Sequence, residues 1–220
     1  MIWRLQENEP TLFPDPYYGE EDGLIAVGGD LSPERLIAAY SSGIFPWYGF
    51  KENEDILWWC PLERFVIFPK EIHISHSMRQ LMKKDDYSVT VNQAFDQVIE
   101  NCSRTSQRNE QRGAWLGDDM INAYKKMYEL GLAASVEVWD KDKNLVGGLY
   151  GINIGNNFFG ESMFSLMPSA SKLALIHLAR HLEPFGGIID CQFETPHLKS
   201  MGGRHISYEE YMTYLAMNPS

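Results

Sequence analysis

Asp190, Cys191 and Gln192 stand side by side in the stretch "GGIIDCQFETPHLKSMGG", and each type carries chemistry. A thiol becomes a nucleophile once a base takes its proton. A carboxylate moves protons or orients donors, and an amide donates and accepts without titrating. The run Ile188–Phe193 is short, apolar and bounded by Gly186-Gly187, which predicts a buried strand. Alternation along a strand then sends Asp190 and Gln192 to one face and Cys191 to the other. The polar pair is expected to look into a site and the thiol to pack in the core. His197 and His205 follow, but a proline and Gly202-Gly203 separate them from the cysteine. A cysteine among apolar neighbours is one of the most buried residue types, so Cys191 reads as structural. An acid and an amide on a buried face are costly unless paired or lining a wet site. A structural hydrogen bond between them, or to a helix cap, is the plain alternative to a functional role.

Glu161, in "FFGESMFS", is a second carboxylate hemmed in by aromatic residues and Met, expected on a neighbouring strand. Two partly buried acids with an amide suit recognition of an amine and removal of its proton. His177 and His181 are four apart on a helix but have no third ligand, and His73 and His76 fall in a strand-to-helix turn, so no metal site is expected. Gly28-Gly29-Asp30 lacks the Lys-Ser/Thr of a phosphate loop. Gly147-Gly148 lies inside a strand, where paired glycines mark a bulge or a close backbone approach to a ligand. Trp47 and Trp115 sit in polar or Gly-rich loops, where an aromatic ring covers a core or stacks on a base. Arg104, Arg108, Arg112, Lys125 and Lys126 gather around Trp115, either a nucleic-acid contact or a solvated charged loop.

Around these residues the chain reads as alternating strands and helices. Ser32 and Pro33 open a short helix that Gly43 stops. The texture becomes more regular near residue 62, which divides a small N-terminal domain, 1–62, from a larger one, 63–220. A strand is expected at Phe65–Phe68, helices from about Ser75 and Asn92, and a polar loop over "SRTSQRNEQRG". After a helix from about Asp118 to Leu130, the segments "ASVEVW", "NLVGGLYGINIG" and "NFFGESMF" form a meander, and "SASKLALIHLARHLEPFGG" an amphipathic helix. Ser207 and Glu210 form a capping box for a last helix. The order describes an α/β (α+β) sandwich of mixed sheet and helices. With 220 residues and 44% hydrophobic content the chain can bury a real core, and a net charge of -11 argues against broad nucleic-acid binding. Cys60, Cys102 and Cys191 form no CxxC pair, and neither a signal peptide nor a membrane span is legible, so a soluble cytoplasmic protein is expected.

Taken in order, "GLIAVGGDLSPERLIAAYSSGIFPWY", "ILWWCPLERFVIFP", "NQAFDQVIENC", "SVEVWDKDKNLVGGLYGINIGNNFFGESMFS", "ASKLALIHL", "IIDCQ" and "HLKSMG" resemble the bacterial leucyl/phenylalanyl-tRNA–protein transferases over nearly the whole chain. The resemblance implies a small N-terminal domain and a GNAT-like catalytic domain that uses no cofactor. This accords with "LMPSASK", which lacks the glycines of a coenzyme-A loop. It implies an enzyme that moves Leu or Phe, and Met less well, from aminoacyl-tRNA to the N-terminal Arg or Lys of proteins, marking them for degradation by the N-degron pathway; a monomer is expected. The family's catalytic acid and amide fall on Asp190 and Gln192 and its further acid on Glu161. Trp47 and Trp115 match the aromatics that meet the 3′-terminal adenosine, with Tyr124 nearby. Leu149, Phe158 and Met163 are candidates for the apolar pocket, Leu149 standing where a Met is more usual. The loop carrying Trp115 also departs from the family, being longer and reading Ala-Trp-Leu for Thr-Trp-Ile. A small-molecule acyltransferase and a non-catalytic module for the tRNA acceptor end are the rival readings.

Overall fold

The computed structural model describes residues 2–48, 55–84, 86–108 and 117–217. Along the chain run β1 (Trp3–Leu5), β2 (Leu24–Gly28), α1 (Pro33–Ser41), β3 (Phe45–Tyr48), β4 (Ile56–Trp59), β5 (Glu63–Ile67), α2 (His76–Lys83), β6 (Ser88–Val91), α3 (Phe95–Arg108) and α4 (Asp118–Glu129). Then follow β7 (Ala133–Trp139), β8 (Leu145–Ile154), β9 (Asn157–Ser165), α5 (Ala170–Leu182), β10 (Ile189–Asp190), α6 (Pro196–Ser200), β11 (Arg204–Ser207) and α7 (Tyr208–Ala216). Local chemistry explains many of these boundaries. Ser32 accepts a hydrogen bond from the Arg35 N–H, Pro33 has no N–H to satisfy, and Gly43 at φ 74° lets the chain leave α1. Ser75, Thr195 and Ser207 cap α2, α6 and α7 in the same manner. The polar run after Cys102 departs from expectation. It continues α3 to Arg108 instead of opening a loop, helped by the Glu100–Arg104 pair one turn apart.

Two sheets result, one of four strands in the order β1-β2-β4-β3 and one of seven in the order β11-β5-β10-β9-β8-β7-β6. In the larger sheet all neighbours are antiparallel except β10 and β9. Side chains alternate along β8. Tyr150 and Ile152 join Val98, Ile99, Met120 and Met127 of α3 and α4 in one core, and Leu149 joins Leu173, Leu175 and Leu178 of α5 in the other. The mixed α/β architecture is thus as expected, with helices on both faces of the larger sheet. The first core continues without a break into the small sheet through Ile25, Leu36, Tyr40 and Trp58. Among the described residues, no helix is long and apolar enough to cross a membrane.

Three details of the larger sheet prepare a site. β9 and β10 pair only at Phe158/Ile189 and Phe159/Asp190, after which β9 runs on to Ser165 paired with β8 but not with β10. In the β8–β9 ladder Tyr150 faces Ser162 and Gly151 faces Gly160, so Glu161 is the extra residue of a β-bulge. The strand expected over Ile188–Phe193 is also cut to Ile189–Asp190, because Gln192 takes up φ 58° and ends the pleat. Alternation therefore fails after Asp190. At Gly147-Gly148 the expected bulge is present, at Val146, and it is α5 that comes close: a Cβ on Gly147 would lie 2.5 Å from Ala170 Cβ.

The bulge depends on Gly151, where a Cβ would stand 2.0 Å from the Phe159 carbonyl oxygen. Gly151→Ala should force the two backbones apart and lower stability by roughly 1–3 kcal/mol, read by urea denaturation. Unchanged stability would contradict this close approach.

Candidate active site

A fully buried charge pair joins the second and third strands of the larger sheet, β5 and β10. β5 presents Arg64 and β10 presents Asp190, both with side chains 0% exposed. Asp190 Oδ1 accepts from Arg64 Nε at 2.9 Å and from the Gln192 backbone N–H at 2.9 Å. Asp190 Oδ2 accepts from Arg64 Nη2 at 2.9 Å and from the Tyr211 hydroxyl at 2.7 Å. A carboxylate has about four lone-pair sites, and all are taken. The guanidinium lies between the rings of Phe45 and Tyr211, 4.6 and 4.8 Å from their centroids. Burial alone would lower its pKa, but Asp190 and the Tyr211 oxygen hold it well above the usual range. Asp190 is not among the residues that line the cavity beside it. It anchors the backbone of Gln192 and so fixes the left-handed turn that aims that side chain.

The space opened between β9 and the end of β10 is a cavity of about 560 Å³. Leu149, Phe158, Met163, Leu175, Leu178 and Ile189 give it an apolar wall, and Glu161, Gln192 and His197 give it polar groups. Leu149, Phe158 and Met163, singled out in the sequence, are thus brought together with Glu161 and Gln192. The Gln192 Nε2 is buried and meets no hydrogen-bonding partner among the described residues. Cys191 corrects the strand-face expectation, because it lies half-buried in the cavity wall rather than on the opposite side from Gln192. Its thiol points to the Ile189 carbonyl at 3.7 Å. Burial first, and then Asp190, push the thiol far above its ordinary pKa, so it stays protonated at neutral pH. Trp47 also lines the cavity, its ring 5.5 Å from Phe193 and 6.3 Å from Trp59. Trp115 lies outside the described residues.

Glu161 is held by phenols rather than by a cation. Its two carboxyl oxygens each lie 2.7 Å from a hydroxyl, one from Tyr40 and one from Tyr124, and those two hydroxyls lie 2.8 Å from each other. Three contacts need three protons for all to be hydrogen bonds, and two phenols supply only two. A protonated Glu161 closes the ring. Burial pushes its pKa up to about 7, opposed in part by the two hydroxyls. Tyr124 was expected beside a nucleoside; instead it is fully buried and spends its hydroxyl on this ring.

The expected basic cluster is largely neutralised where it is described. Lys125 pairs with Asp96 and Glu100 at 3.4 and 3.6 Å, and Lys126 with Glu129 at 2.9 Å. Arg112 and the Arg108 side chain lie outside the described residues. Sequence reasoning missed Arg64, Tyr40 and Tyr211, although an arginine inside the apolar run "RFVIF" was a signal that a buried partner must exist. It also set His197 aside, whereas Thr195 caps a short helix that brings His197 back into the cavity wall.

Residues 66–216 match the model of a family described as leucyl/phenylalanyl-tRNA protein transferase, and residues 29–62 match the model of that family's N-terminal domain. A leucyl/phenylalanyl-tRNA–protein transferase of Nitrosomonas europaea is 51% identical over 193 residues, 87% of this chain and 80% of that protein. Another, of Syntrophobacter fumaroxidans, is 48% identical over 218 residues, 99% of this chain and 91% of that protein. Likeness to solved structures is partial: a GNAT-family acetyltransferase of Staphylococcus aureus Mu50 superposes with a TM-score of 0.32 over 43% of this chain and 67% of that one, at 16% identity.

Two outcomes test the electrostatics. Asp190→Ala leaves Arg64 charged, buried and unpaired, which should cost about 3–5 kcal/mol in urea denaturation; a neutral result would contradict the pairing. The folded Glu161 pKa of about 7 lies above its ordinary 4.5. Folding therefore favours the protonated form, and the wild type loses stability as pH rises between those values. Relative to Glu161→Gln it should lose at most about 3 kcal/mol between about pH 5 and about pH 8. A pH-independent difference would refute the raised pKa.

Proposed function

This chain belongs to the leucyl/phenylalanyl-tRNA protein transferase family, and from that premise we propose that its cavity receives Leu or Phe, and Met less well, as the aminoacyl ester of tRNA. The enzyme passes that residue to the N-terminal Arg or Lys of an acceptor protein, forming a peptide bond and marking the acceptor for the N-degron pathway. The observation that carries this reading is one cavity with an apolar wall of Leu149, Phe158 and Met163 beside Gln192, whose amide nitrogen has no partner among the described residues, and the caged acid Glu161. The apolar wall suits an aliphatic or aromatic side chain, and Leu149 in place of Met keeps nearly the same volume while changing shape. Trp47 offers a ring to the terminal adenosine, a role Trp115 shares.

An aminoacyl ester is already activated, so the protein need not form a covalent intermediate, and the protonated Cys191 thiol is consistent with none. The remaining work is to dock two substrates and hold the attacking α-amine against the ester carbonyl. Gln192 does this by accepting a hydrogen bond from the amine through its amide oxygen, with Asp190 holding the backbone that carries it. Glu161, in its ionised form, draws the cationic acceptor towards the bulge. Positioning of this kind contributes up to about 7–11 kcal/mol in well-oriented systems. The same reading takes residues 1–62 as a small N-terminal domain and 63–220 as the catalytic domain, supported by the change of sheet between Trp59 and Glu63. It takes the enzyme as a monomer and as cytoplasmic, where aminoacyl-tRNA is made.

The test is transfer of labelled Leu from Leu-tRNA to peptides that begin with Arg or with Ala but are otherwise alike. Wild type and Cys191→Ala should transfer at comparable rates to the Arg peptide only, and Gln192→Ala roughly 10²-fold more slowly. Absence of transfer by the wild type would sink the activity. A dead Cys191→Ala variant would demand a thioester, and equal use of both peptides would remove the acceptor preference.

A further inference from the structure

The proposed transfer requires a group that takes a proton from the attacking amine, and the cavity limits the choice. Among the described residues lining it, Glu161, Cys191 and His197 are the side chains of acid–base type. Both Glu161 oxygens already face tyrosine hydroxyls. The Cys191 thiol is held protonated, and protonated thiols are no bases. Asp190 lies behind the wall with every lone pair engaged. The Gln192 amide cannot accept a proton near neutral pH.

His197 differs from all of these. Its Nε2 is buried and meets no hydrogen-bonding group among the described residues, and a buried ring nitrogen left without a partner is costly. The backbone beneath it is fixed: Thr195 Oγ1 accepts from the Leu198 N–H at 3.2 Å, and the Ser200 hydroxyl donates to the His197 carbonyl at 2.7 Å. Burial, and then Lys172 on α5, lower its pKa, so the ring is neutral at pH 7. Glu194 and Lys199, the charged groups of its own segment, pair with each other at 2.9 Å. In the cavity it shares, the other groups of acid–base type are Glu161 and Cys191.

We propose, resting on the transferase reading above, that His197 is the proton acceptor of the transfer reaction. In the tautomer protonated at Nδ1, its Nε2 receives the proton of the attacking α-amine while Gln192 holds that amine in line. The acceptor first sheds one proton to solvent and enters as a neutral amine. Its nitrogen forms a bond to the ester carbonyl carbon, and an N–H proton passes to Nε2. As the bond from that carbon to the ribose oxygen breaks, the imidazolium returns the proton to the departing oxygen. The products are the new amide, a free tRNA hydroxyl and a neutral imidazole, so each turnover begins from the same state.

The experiment is single-turnover transfer of Leu from Leu-tRNA to an Arg peptide across pH, using wild type, His197→Gln and His197→Ala. Both variants should bind Leu-tRNA as the wild type does yet transfer at least roughly 10²-fold more slowly at pH 7. Added imidazole should restore rate to His197→Ala. The wild-type acidic limb should contain a step that follows the His197 ring titration measured by NMR, and that step should vanish in His197→Gln. The Glu161 step, near 7, should persist. A His197→Gln variant with the wild-type rate and pH profile overturns the proposal. So does a wild-type acidic limb with no step that tracks the His197 titration, a readout that stands even where a variant fails to fold. Loss of rate explained by weaker tRNA binding alone would make His197 structural. A wild type that transfers nothing overturns the parent reading and this one with it.

Discussion

Everything in the site is referred to one buried ion pair, Arg64 with Asp190. Taking two charges out of water costs several kcal/mol each, and the attraction between them offsets this only when geometry is good and the remaining lone pairs are filled. Here they are filled, by the Tyr211 hydroxyl of α7 and the Gln192 backbone N–H. The pair also joins the two sheets, since the guanidinium lies against Phe45 of β3 while its own strand belongs to the larger sheet. Its consequence for function is indirect but specific. Asp190 Oδ1 holds the N–H of a non-glycine residue at φ 58°, a conformation that needs such support, and the side chain so aimed reaches the cavity.

The cavity follows from two further constraints. β9 and β10 are parallel neighbours for only two residues and then part. The bulge at Glu161 turns a carboxyl into the gap while Gly151 lets the neighbouring backbone come close. The site thus contains one acid tied to a cation behind the wall and one tied to phenols in the wall. The first stays fixed. The second sits near its midpoint at neutral pH, so the charge facing the cavity responds to pH, and to any cation that arrives.

Much of this was legible from local chemistry. The caps at Ser32 and Ser207, the helix start near Ser75, the meander and the α5 helix follow from hydrogen-bonding and periodic patterns that act over a few residues. Glu161, Gln192, Leu149, Phe158 and Met163 were singled out in advance, and they share one cavity. What escaped was long-range. Arg64 meets Asp190 across 126 residues and Tyr40 meets Glu161 across 121, and nothing near either residue announces its partner. The alternation argument failed because no glycine or asparagine marked the left-handed turn at Gln192. With the pleat broken there, Cys191 and Gln192 both reach the cavity and Asp190 turns away. His197 was discounted for the proline before it, yet that proline starts the short helix that returns the ring to the cavity.

The most direct test of the account replaces the charge pair as a unit, with Arg64→Met and Asp190→Leu together. An apolar pair of similar volume removes the desolvation cost and restores packing, so this protein should fold at least as well as Asp190→Ala and still bind aminoacyl-tRNA. Gln192 would have lost its anchor, and transfer to an Arg peptide should fall by roughly 10²-fold. A well-folded double variant that transfers at the wild-type rate would contradict the claim that the ion pair exists to hold Gln192 in place.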